Sequence, residues 1–103
     1  MNDMEQNDIT QDRAVYVREL QRYLRSIQLA VQGYADVSIN GIFDDTTQQA
    51  VRRFQTSVGL PATGTVDRST WDAIASTYSD LRTGNTKRLG QYPGFPLSKE
   101  VDA

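Results

Sequence analysis

Residues 39–60 read Ile39-Asn-Gly-Ile-Phe-Asp-Asp-Thr-Thr-Gln-Gln-Ala-Val-Arg-Arg-Phe-Gln-Thr-Ser-Val-Gly-Leu60, a turn, a capped helix and a stop in one run. Asn40-Gly41 is a strong turn dipeptide, because both residues tolerate positive φ. Asp44 is placed to accept hydrogen bonds from the free amides of a first helical turn. Thr47, Ala50, Val51, Phe54 and Val58 then recur at helical spacing and predict the inward face of a helix from about Asp45 to Val58. Gly59 stands where a left-handed C′ residue belongs, and Pro61 prevents continuation.

The pattern then repeats. Gly64 to Ile74 aligns without a gap on Gly41 to Val51, with Gly, Asp, Thr and Ala recurring in place. A third helix is predicted from about Arg68 to Leu81, burying Trp71, Ile74, Ala75 and Tyr78. Trp71 lies on the inward stripe and reads as a core residue rather than a sugar platform. Upstream, Val17, Leu20, Leu24, Ile27 and Val31 alternate spacings of three and four. They predict a long amphipathic helix from roughly Arg13 to Val31. Tyr16 and Tyr23 flank that seam as core-edge residues with hydroxyls in water. Arg18, Arg22 and Arg25 form a basic stripe outside it. The expected fold is all-α: a compact three-helix bundle with two symmetry-related turn-helix units.

The chain divides into a mobile polar lead-in (1–11), the helical domain (12–81) and an extended C-terminal tail or interdomain linker (82–103). The tail has no hydrophobic period and holds two of the three prolines. Its Tyr92, Phe95 and Leu97 are apolar enough to dock, with no local partner.

At 103 residues the chain can bury one small core. A formal charge of −2 exerts no general pull on nucleic acid or acidic membranes. Cysteine and histidine are both absent, which removes disulfides, thiol chemistry, the commonest general base and the commonest zinc ligand. No apolar run suffices for a membrane span or a signal-peptide core, so an export signal would lie on a larger parent or have been removed. Asp36-Val-Ser-Ile-Asn-Gly41 resembles the start of a calcium loop, but Thr47 stands where the bidentate glutamate is needed. No metal and no cofactor are expected. Adjacent Asp44 and Asp45 do not make the facing acids of a glycosidase. The third helix sets Asp67, Asp72 and Asp80 against Arg68 alone, a poor match for phosphate.

With these residues in place, the chain resembles the three-helix peptidoglycan-binding domain appended to bacterial cell-wall hydrolases. The motifs are Leu20-Gln21 with Leu24; Asn40-Gly41-Ile-Phe43 with Thr47, Ala50-Val51 and Phe54-Gln55; Gly59-Leu60; Thr63-Gly64; and Thr70-Trp71. They span about Val17 to Leu81. Asn40 and Thr63 replace the family's usual Asp before each glycine, Asp44 replaces a glycine, and several extra residues separate Leu24 from Gly33. The resemblance implies binding without catalysis, outside the cell or in the wall of a bacterium, with peptidoglycan glycan or a muropeptide as partner. It further implies a place within a larger multidomain chain, and neither nucleic acid nor membrane as partner. Amides, hydroxyls and arginines edged by an aromatic ring suit such a polymer. The candidate ligand-binding residues are Tyr34, Asn40, Thr46, Gln48, Arg52 and Gln55. For Gln21 and Gln55 the competing reading is that their amides satisfy loop backbone groups. A protein-docking or prodomain-like module and a nucleic-acid-binding helical domain remain as alternative functions.

Overall fold

The computed structural model describes residues 2–82 and 90–99, with side chains described from Arg13 onward. Three helices form: α1 (Asn2–Gln32), α2 (Asp45–Ser57) and α3 (Arg68–Leu81). The bundle predicted from the repeat is present, and helix ends fall within one residue of those expected except at the start of α1. There the helical backbone continues from Asn2; the side chains of 1–11, expected as a lead-in, lie outside the described residues.

Local chemistry accounts for these ends. Asp44 and Asp67 both have extended backbones, and their carboxylates accept from the amides of Thr47 and Thr70, each at 2.9 Å. Those bonds satisfy donors that a helix start otherwise leaves without partners. The Asp44 carboxyl is pushed up by burial, but hydrogen bonds from the Thr47 side chain and amide outweigh this and hold it below the ordinary carboxylate value. α2 closes in a two-bond glycine cap. Gly59, at φ +81°, donates to Thr56, and Leu60 donates to Gln55 at 2.8 Å. α1 ends with the simpler single bond, Gly33 to the Leu29 carbonyl at 3.1 Å.

α1 packs broadly on α3 and narrowly on α2. The core joins Val17, Leu20, Tyr23 and Leu24 of α1, Val51 and Phe54 of α2, and Trp71 and Ile74 of α3. Trp71 is 2% exposed, so it is a core residue as read from the sequence. Three expectations need correction. Tyr23 has no wet hydroxyl: it donates to Glu19 at 2.6 Å and accepts from the Gly90 amide at 2.7 Å. Burial and then the Glu19 bond raise its pKa well above the usual tyrosine value. Val31, placed by period on the inward face, is 77% exposed, and Val58 is 44% exposed. At both positions the periodic stripe outlasts the elements that cover it.

Residues 90–99 lie along the bundle. Val66 and Leu97 form an isolated antiparallel bridge with bonds of 2.7 and 3.0 Å, and Leu97 is fully buried. Trp71 Nε1 donates to the Gly90 carbonyl, Tyr92 and Phe95 pack against the core, and Lys99 pairs with Asp45. The extended tail therefore supplies core residues over this stretch.

Candidate functional site

Each interhelical connection is held from beneath by a buried glutamine. In the first, Gln21 Oε1 accepts from the Asn40 and Gly41 amides, both at 2.9 Å. Its Nε2 donates to Asn40 Oδ1, the Ile42 carbonyl and Thr47 Oγ1. In the second, Gln55 Oε1 accepts from the Gly64 amide at 2.9 Å, and Nε2 donates to Thr63 Oγ1, the Thr65 carbonyl and Thr70 Oγ1. The three Nε2 bonds and the glycine-amide bond correspond one for one, and Gln21 accepts one further amide, that of Asn40. The internal repeat is thus a repeat of hydrogen-bonded pins as well as of caps. Loops carry backbone groups that the helices cannot satisfy, and one carboxamide serves both polarities at once.

The arginines follow the same correspondence. A Cβ on Gly41 would lie 3.3 Å from Arg18 Cζ, and one on Gly64 would lie 2.9 Å from Arg52 Nε and 3.0 Å from Gln48 Cγ. Both glycines sit at φ +80°, and it is this backbone angle that calls for glycine, since the arginine ends beside them can move aside. Each loop therefore presents an exposed arginine beside a rigid backbone turn.

The units differ in one respect. Gln21 lies 19 residues before the loop residue it holds, whereas Gln55 lies 8 before its own. The longer first connector carries its own pin. Gln28 Oε1 accepts from the Asp36 and Val37 amides, and its Nε2 donates to Asp36 Oδ1 at 2.7 Å. Arg25 donates to the Val37 carbonyl at 2.9 Å. The Asp36 and Asn40 oxygens that a calcium loop would use are engaged in these loop contacts. Among the described residues no group of His, Cys, Asp or Glu is gathered for a metal.

The six residues expected at the ligand site do not converge on one spot. Asn40 belongs to the first pinned loop, and Gln48 and Arg52 lie beside the second. Gln55 is 1% exposed, and its amide is engaged with loop and cap groups. Thr46 is half-buried, one turn before Ala50 on the flank of α2 that continues to Arg53 and Ser57. Tyr34 is 62% exposed, and its carbonyl accepts from Gln32. The sequence marks Arg18 only as part of a basic stripe and leaves Gln28 unremarked. Gln28 lies two turns after Gln21 on the same face of α1, and that spacing was available as a signal.

Hollows among the described residues lie on α3, beside the first loop and between α1 and α2. One, of about 730 Å³, lies on α3 between Arg68, Asp72, Asp80 and Tyr92, with the Arg68 guanidinium 5.1 Å from the Tyr92 ring centre. A second, of about 490 Å³, lies beside Gly41, Asp44, Asp45 and Lys99. The third, of about 240 Å³, is a mostly apolar groove between the end of α1 and α2.

A family model described as "Putative peptidoglycan binding domain" matches residues 13–74. Among curated proteins and among solved structures nothing matches the chain. The matched region runs from the first described side chain of α1 to Ile74 of α3, and includes both pinned loops and both caps. With well over half of its residues covered, the chain belongs to the peptidoglycan-binding domain family.

Proposed function

We propose that the chain is a non-catalytic binding module for bacterial cell-wall peptidoglycan, acting outside the cell or in the wall to target or tether a larger cell-wall protein. The observation that carries this reading is the family match across both pinned loops. The loops are held before any ligand arrives, so little ordering entropy is lost when a polymer settles on them. Asn40, Gln48 and Arg52 present amides and a guanidinium suited to hydroxyls, N-acetyl groups and carboxylates. Tyr34 offers an aromatic edge, and Thr46 a hydroxyl at the start of α2. Gln55 contributes from below by holding the second loop. The absence of His and Cys from the chain, and the use of Asp44 as a cap, support binding without catalysis.

Weak contacts suffice for such a task, because attachment to a polymer or a parent enzyme supplies effective concentration. Residues 90–99 lie on the bundle, so a tether would not draw on them as free chain.

Sedimentation with purified sacculi tests the reading. The chain is expected in the pellet, and Arg52→Ala and Gln48→Ala should each weaken binding by about 1 kcal/mol without changing the melting curve. If intact sacculi leave the chain in the supernatant, peptidoglycan binding is rejected and protein docking becomes the better account.

A further inference from the structure

The groove between α1 and α2 exists because the first repeat unit is longer than the second. The added turns of α1 carry Val31 past the region where α2 covers it, while Ile27 stays buried, and α1 meets α2 only narrowly. The floor is Leu24, Ile27, Ala50 and Phe54; Val31 stands at the rim, 77% exposed. Among the described residues Arg53 is the only charged one lining it. It is exposed, and it makes no hydrogen bond or ion pair with the described residues. The other two hollows each contain two aspartates, and this groove contains none.

Resting on the proposed peptidoglycan reading, we infer that this groove takes the carboxylate-bearing alanyl end of the polymer's stem peptide, with the methyl groups on the Leu24–Phe54 floor and the carboxylate on Arg53. Charge and polarity both select that part of the polymer. Sugar rings carry hydroxyls along their edges and only weakly apolar faces, so they gain less from an apolar floor than methyl groups do. The polymer's other methyls sit on neutral N-acetyl and lactyl groups, whereas the alanyl end joins methyls, whose removal from water is favourable, to a free carboxylate. An arginine fork matches a carboxylate in a bidentate geometry. At about 240 Å³ the groove falls below the roughly 300–1,000 Å³ of common small-molecule clefts, a size suited to two alanyl residues rather than a pair of N-acetylated sugars. Arg52 and Arg53 are neighbours on the exposed side of α2. A strand resting beside Arg52 could thus lower its peptide past Arg53 into the groove.

The test compares intact sacculi with the same material stripped of peptide by an amidase, using the full 103-residue chain. Stripping is expected to weaken binding about tenfold, and Arg53→Gln should reproduce that loss on intact sacculi while leaving binding to stripped strands unchanged. D-alanyl-D-alanine, followed by NMR, should shift the signals of Leu24, Ile27, Ala50 and Phe54, and its C-terminal amide should shift them far less. Arg53 is exposed and makes no hydrogen bond or ion pair with the described residues, so the variant should melt like the parent. Equal binding of intact and stripped material overturns the groove assignment alone. Dipeptide shifts confined to other faces overturn it as well. Failure of the parent chain to bind intact sacculi overturns the peptidoglycan reading and the groove assignment with it.

Discussion

Replacing Gln55 by alanine would leave the buried Gly64 amide without an acceptor and take the shared donor from Thr63, the Thr65 carbonyl and Thr70. A buried donor without a partner costs about 1–3 kcal/mol, and the lost donor bonds add to that. Gln55→Ala should therefore destabilise the domain by about 2–4 kcal/mol in urea melts. A loss below about 0.5 kcal/mol would mean that water replaces the amide readily and the loop is not held as described. At this scale the sequence left a choice open. A glutamine on the border of an apolar stripe is compatible with a ligand contact and with a buried pin. Only the position of the loop relative to α2 distinguishes them.

At the scale of the elements, capping explains why the two short helices begin where they do. Asp44→Ala and Asp67→Ala should each cost about 1 kcal/mol. For Asp44 the loss has a pH signature. Its folded pKa lies below the unfolded value, so its contribution is full above the ordinary aspartate range and disappears as pH falls through the folded value. Melts of the parent and of Asp44→Ala should differ at neutral pH and converge as the solution is acidified below about pH 4. A difference that persists undiminished at pH 2 would remove the cap from this account. These helix ends were legible in advance, since caps, C′ glycines and the following proline act within a few residues of each other.

At the scale of the whole molecule, residues 90–99 complete a core that the helices leave open. Leu97 is fully buried beneath the bridge to Val66, and the strap brings the Gly90 carbonyl to the Trp71 ring nitrogen and the Gly90 amide to the Tyr23 hydroxyl. Leu97→Ala should destabilise the domain by about 2–5 kcal/mol, the range for truncating a buried leucine. It should also raise hydrogen exchange at the Val66 amide. An unchanged melting point with a protected Val66 would show that the strap contributes no stability. The strap lies beyond the residues the family model covers, so it adds to the domain without belonging to the shared motif.

What the sequence determined by itself was local and periodic: three helices, their caps, the repeat, and most of the inward faces, Trp71 included. Those features depend on contacts between residues a turn or two apart, or on burial of a single stripe. Tertiary structure alone decided the rest. It made Gln21, Gln28 and Gln55 into pins, because the loop residues they hold lie up to 21 residues away. It placed Leu97 in the core, because a chain without period carries no sign of which surface will accept it. It also exposed Val31 at the rim of a groove, because a helical stripe records the direction of an apolar side chain and is silent on whether anything lies there to cover it.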